Sequence, residues 1–218
     1  MLIELLFSSP ILFFVVAAAL FVAITIHEFA HAFAANKLGD PTPRLQGRLT
    51  LNPLAHLDPL GTLLLFLFGF GWGKPVQFDP YNLKNPRRDA AIISFAGPFS
   101  NIILVTILSL IYRTGILSSI FPFFPLGSLI PPLIQLNVVL AVFNLIPIHP
   151  LDGGKILAGL LAPAEAHKYD RFMSQYGLYM LLLMFLPIVG GRSLVSIVVS
   201  PIVSFLMNIY LPSSSGFV

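Results

Sequence analysis

The stretch TIHEFAHAF, residues 25–33, carries His27, Glu28 and His31 at the end of a long apolar run. Two histidines four residues apart share one face of a helix, one turn apart, so their imidazoles can converge on a single ion. Glu28 is adjacent and can reach a water at that ion. A His-Glu-x-x-His arrangement therefore offers two metal ligands and a general base, which is what metal-assisted hydrolysis needs. The plainer reading of the same residues is a polar helix end with hydrogen-bonded histidines.

Catalytic zinc takes three protein ligands and keeps an open position. Among the nine acidic residues, Asp152 stands out, in NLIPIHPLDGG (144–154) just past an apolar segment. Pro147 and Pro150 break the helix, and Gly153 and Gly154 free the backbone to turn. Asp152 is thus expected on an irregular piece that can point at an ion, with an Asx-type turn as the alternative for LDGG. Glu165 is the other conceivable third ligand, but it sits in a polar stretch, 162–171, read as a solvated loop with His167.

The elements that would position these groups are hydrophobic. The chain has 218 residues, a mean hydropathy of +0.89 and 10% charged residues, against about 25% in soluble domains. Cysteine is absent, which excludes disulfides, thiolate metal sites and a thiol nucleophile. The net charge of +3 comes from scattered basic residues with no block, so nucleic acid is not an expected partner. Five histidines are too few for the clustered boxes of a di-iron desaturase. Five segments approach the ~20 residues that span a bilayer: 9–37, 90–112, 129–147, 172–189 and 193–211. A sixth, 60–70, reaches only about 16 Å as a helix and is read as re-entrant.

If 60–70 returns to its starting side, ten of the twelve Lys and Arg residues share one side of the membrane, with Arg113 and Arg192 on the other. That bias makes the ten-charge side cytoplasmic and places the N-terminus outside. Asp152 then faces the same side as His31; a fully spanning 60–70 would separate them. Counting from Lys37, His31 lies about 9 Å and His27 about 15 Å inside the membrane, where ionisable groups are costly and are functional candidates by default. Glu4 and the uninterrupted run into His27 argue against a cleavable signal.

Weak alternation in RLQGRLTL (44–51) and KPVQF (74–78) suggests short interfacial strands, one of which is a candidate edge for an extended substrate. In FAGPFSN (95–101), Ser94, Ala96, Gly97 and Ser100 allow close helix packing, Pro98 a kink, and Asn101 a hydrogen bond within the bundle. His56 and Asp58 form either a capped turn or a second donor to the reaction. The expected fold is an all-α polytopic membrane protein of five to six transmembrane helices, with a re-entrant segment and short interfacial β strands. It forms a single domain, 1–218, with a core at about 20–160 and accessory helices at 172–211.

HEFAH, FAGPFSN and NLIPIHPLDGG, in that order, closely resemble the site-2 protease family of intramembrane zinc metalloproteases. LNPLAHLDPLGT and GWGKPVQFDPYNLKNPRRD resemble its compact branch without a PDZ domain. The resemblance covers roughly residues 20–160. It implies that His27, His31 and Asp152 hold one zinc ion, Glu28 is the catalytic acid/base, and Asn144 contacts substrate or the oxyanion. His149, in the stretch before Asp152, departs from the family pattern. The resemblance implies a membrane-protein substrate with a transmembrane segment, a bilayer environment, and a prokaryotic plasma membrane with the site toward the cytoplasm. The alternative is a non-catalytic zinc-binding membrane protein, such as a transporter or pseudoprotease, which has no use for a base at position 28.

Overall fold

The computed structural model describes residues 2–68, 71–116, 119 and 126–211. In chain order it contains α1 (Leu2–Ser8), α2 (Pro10–Leu38), α3 (Thr42–Leu45), α4 (Pro59–Phe68), α5 (Pro86–Thr114), α6 (Leu126–Asn144), α7 (Asp152–Leu160) and α8 (Pro163–Phe185). A hairpin of β1 (Pro187–Val189) and β2 (Arg192–Ser193) follows, then α9 (Leu194–Tyr210). α2 and α5 have 29 residues each, about 43 Å of helix. Each opens on a proline and closes on a glycine in the left-handed conformation, Gly39 at φ 110° and Gly115 at φ 65°. Among the described residues these two helices have the length and apolar composition to cross a bilayer; 129–144 and α9 are apolar but shorter.

α5 has its polarity reversed relative to a helix in water. Ile92, Phe95, Phe99, Ile103, Ile107 and Leu110 are exposed, while Ser94, Gly97, Asn101 and Ser109 are buried. With Val105 continuing the buried set between Asn101 and Ser109, both sets repeat every three to four residues, so an apolar stripe faces outward and a stripe of small and polar residues with one aliphatic member faces inward. Lipid makes that orientation favourable. α2 buries Ala19, Ala23, His27, His31 and Ala35, one residue per turn. These small residues let α2 and α5 approach closely. α6 packs on both, and its Ile130, Ile134, Val138 and Val142 share a core with Val105 of α5 and Met173, Leu181 and Val199 of α8 and α9.

Asp40 ties the end of α2 to the chain that leads into α5. Its carboxylate accepts from Thr42 N (3.0 Å), Thr42 Oγ1 (2.6 Å), Asn82 Nδ2 (2.8 Å) and Asp79 N (2.7 Å). Burial alone would raise its pKa; these four donors outweigh that and hold it below the usual carboxylate range.

α4 explains residues 60–70 in part; Gly69 and Phe70 lie outside the described residues. Phe66 meets Phe13 at 5.4 Å and Phe21 at 6.3 Å between ring centroids, so one turn of α4 touches the N-terminal half of α2, while α4 itself packs against α1. The chain then comes back beside it. A Cβ on Gly71 would stand 2.5 Å from Leu65 Cβ, and one on Gly61 would overlap the Trp72 carbonyl. Leu57 bridges Gly73, and Lys74 N donates to His56 O at 2.8 Å. After α4 the chain thus comes back alongside that helix to the level of His56 and Leu57.

Three expectations are corrected. The strands do not form at 44–51 or 74–78. Thr42–Leu45 is helical, Gly47 takes φ 69°, and Pro75 has no N–H to offer a ladder. The β pairing forms instead around Gly190 and Gly191, whose φ values of 56° and 77° suit a tight hairpin turn. The polar stretch 162–171 is not a loop: Pro163 starts α8, and Glu165 pairs with Lys168 at 3.2 Å on its exposed face. Asp152 is not on irregular chain but is the first residue of α7.

Candidate metal centre

Three elements bring the site together. α2 supplies His27 and His31 from successive turns of its buried stripe, and the 145–151 connection delivers Asp152 at the start of α7. His27 Nε2 lies 3.1 Å and His31 Nε2 3.2 Å from Asp152 Oδ2. The candidate ligand atoms all lie within 4.8 Å of one another. A tetrahedral zinc with bonds of about 2.0–2.1 Å separates its ligand atoms by about 3.3 Å. The two imidazoles stand nearly perpendicular, at 85° with centroids 4.6 Å apart.

The far side of each ring is fixed. His27 Nδ1 donates to Asn101 Oδ1 at 2.7 Å, and His31 Nδ1 donates to Ile93 O at 2.7 Å. Both acceptors are oxygens, so both rings carry a proton on Nδ1, and the Nε2 facing Asp152 is the atom each ring would offer to a metal. Asn101 is itself locked: its Nδ2 donates to Ala23 O (3.1 Å) and Asn137 Oδ1 (2.7 Å), and Asn137 Nδ2 donates to Leu133 O (2.7 Å). Both asparagines are fully buried. A neutral N, N, carboxylate donor set with these outer partners fits zinc. Asn101→Ala is expected to weaken zinc affinity about 10–100-fold, read by competition against a chelator of known affinity.

α5 permits this only through Gly97. A Cβ there would overlap His31 Nε2 and stand 2.5 Å from His31 Cε1 and 2.8 Å from His27 Cε1. The glycines after Asp152 work the same way. Both are buried within α7; a Cβ on Gly153 would lie 2.5 Å from the Leu145 carbonyl carbon, and one on Gly154 2.7 Å from the His149 ring. They are needed for close approach and not for a turn.

Glu28 is half-buried beside the trio, and its Oε2 accepts from Val76 N at 3.0 Å. A cavity of about 710 Å³ opens onto Glu28 and the three ligand candidates. Its wall is largely apolar, with Val16 and Leu20 of α2, Leu136 and Val139 of α6 and Phe185 of α8. Asn144 also lines it, with Nδ2 donating to Leu140 O at 3.0 Å. Its second amide hydrogen is left for another acceptor.

The remaining candidates lie elsewhere. His56 is fully buried, donates from Nε2 to Thr50 O at 2.8 Å and is not part of the cavity wall. Asp58 Oδ1 accepts from Gly61 N at 2.7 Å, capping α4. His149 faces Asp170 at 3.5 Å and the Tyr169 ring at 5.7 Å, away from the ligand trio. Two contributors had little or no signal in sequence: the Val76 amide, which has no side-chain signature, and Asn137, whose place in an apolar segment was the available clue.

An apolar helical bundle with outward-facing hydrophobic stripes, enclosing a His, His, Asp cluster with a glutamate in the wall of the same cavity, defines a class: a membrane-embedded zinc metalloprotease. The sequence comparisons narrow it. The profile described as Peptidase family M50 matches residues 123–188. The chain is 42% identical over 176 residues to "Putative zinc metalloprotease YwhC" of Bacillus subtilis, covering 79% of this chain and 80% of that protein. It is 33% identical over 186 residues to "Putative zinc metalloprotease Rip2" of Mycobacterium tuberculosis, covering 82% and 70%. No solved structure gives a significant match. The chain belongs to peptidase family M50, and zinc is its cofactor.

Proposed function

We propose that this metalloprotease is an intramembrane endopeptidase that hydrolyses peptide bonds in or near a transmembrane segment of another membrane protein. The observation that carries the reading is a largely apolar cavity with His27, His31, Asp152 and Glu28 in its wall. The apolar part of the wall accepts a hydrophobic segment, and the polar residues within it supply the chemistry. In this reading the chain is one multi-pass domain with five to six spans, α4 re-enters, and the basic side faces the cytoplasm of a prokaryotic cell with the N-terminus outside.

His27, His31 and Asp152 would hold the zinc. When bound, it supplies Lewis acidity, polarising the scissile carbonyl and acidifying the attacking water. Glu28 accepts the proton of that water and hands it to the leaving amine. Asn144 offers its remaining N–H to the developing oxyanion or to the substrate backbone. Hydrophobic contacts with the cavity wall orient the segment and exclude bulk water. The test is cleavage of a reconstituted single-span substrate in vesicles. Chelation should abolish cleavage and added zinc should restore it. Undiminished cleavage after the metal is stripped would reject the reading.

A further inference from the structure

Arg48 lies between α3 and α4 and is only 4% exposed. Its guanidinium donates to three carbonyls: Ala55, Lys74 at 2.8 Å and Pro75 at 2.9 Å. It therefore joins the turn at Pro53–Ala55 to the chain returning from α4. The next residue is Val76, whose N–H holds Glu28 Oε2 at 3.0 Å. The same returning segment is held on its other flank by His56 O and the Leu57–Gly73 bridge.

Burying a guanidinium is costly, and a loop needs no charge to be stapled. Burial lowers the Arg48 pKa from its ordinary value, and the Glu28 carboxylate acts in the opposite direction. Arg48 thus reaches Glu28 through the backbone of the returning segment. Lysine cannot replace it, because one ammonium cannot hold three carbonyls in a fixed fork.

We propose that Arg48 is a positioning residue for the base. It fixes the carbonyls of Lys74 and Pro75, so that the Val76 N–H occupies Glu28 Oε2 and leaves Oε1 as the oxygen that takes the proton. This rests on the proteolytic reading for its kinetic arm only. In the full-length enzyme, Arg48→Gln is expected to lower kcat about 30–100-fold with KM within about threefold and one zinc retained per chain. Arg48→Lys, which keeps the charge but not the fork, should lose about tenfold, and it decides the matter if the glutamine variant does not accumulate. Hydrogen exchange over 73–78, measured without substrate, should quicken at least about tenfold in either variant. A kcat within threefold of wild type, a loss confined to KM, or unchanged exchange would each overturn the assignment. A loss confined to KM would make 74–76 a substrate edge. A wild-type enzyme that holds zinc but cleaves nothing would defeat the proteolytic reading, while the exchange measurement still decides whether Arg48 mounts the segment above Glu28.

Discussion

Glu28→Gln is expected to slow cleavage about 10²–10⁴-fold while zinc content stays at one per chain. Glutamine keeps the length and volume of the side chain, and its amide oxygen can still accept from Val76 N–H, which sits 3.0 Å from Glu28 Oε2. The ligand trio is untouched. Only the ability to take a proton is removed. A thousandfold loss corresponds to about 4 kcal/mol of transition-state stabilisation, far above the few tenths that surface substitutions cause. Single-turnover cleavage with elemental analysis on the same sample separates the cases. A variant that retains more than a tenth of the rate removes Glu28 from the base role, and one that loses zinc with the rate shows a structural defect. A non-catalytic zinc protein would show no dependence on this residue in any assay.

The spacing of His27 and His31 reads directly from sequence because one helix fixes both, and α2 is long and uninterrupted. Asp152 was legible by a different route. Two prolines were expected to end the helix before it, and charge bias led to the expectation that it shares a membrane side with His31. Its local structure was misread: the pair Gly153–Gly154 suggests a turn, but both residues sit in α7 because Leu145 and His149 leave no room for a Cβ. Composition cannot tell a glycine needed for positive φ from one needed for close approach; only the neighbour reveals which. The strands were misplaced for a related reason. Alternation over a few residues is weak evidence when a glycine, a proline and a buried Arg48 each break the ladder. Arg48 counted in sequence only as one of ten cytoplasmic charges. Its bonds reach carbonyls 7, 26 and 27 residues away, and no side-chain pattern records a carbonyl partner. The shortness of 60–70 was the clue to α4, and close approach at Gly61 and Gly71 is what lets the following chain lie beside it.

The sharpest test of the site's geometry lies on a residue that does no chemistry. Gly97→Ala should empty the centre: zinc affinity is expected to fall more than about 100-fold, with cleavage falling more than about a thousandfold. The added methyl would overlap His31 Nε2 and stand 2.8 Å from His27 Cε1. Neither ring can retreat freely, because each is tied on its other side by a 2.7 Å bond, to Ile93 O and to Asn101 Oδ1. Those acceptors belong to α5, the same helix that carries Gly97. Moving α5 outward to admit the methyl therefore drags both acceptors away, and the rings lose either their orientation or their space. Overpacking of this kind costs about 1–3 kcal/mol, too little to unfold a bundle whose core includes Ile134, Val138 and Val105. Helicity by circular dichroism should accordingly stay near wild type while bound zinc disappears. A Gly97→Ala enzyme that holds one zinc per chain and cleaves at half the normal rate would mean that α2 and α5 do not meet at this residue, and the convergence of His27, His31 and Asp152 would have to be redrawn.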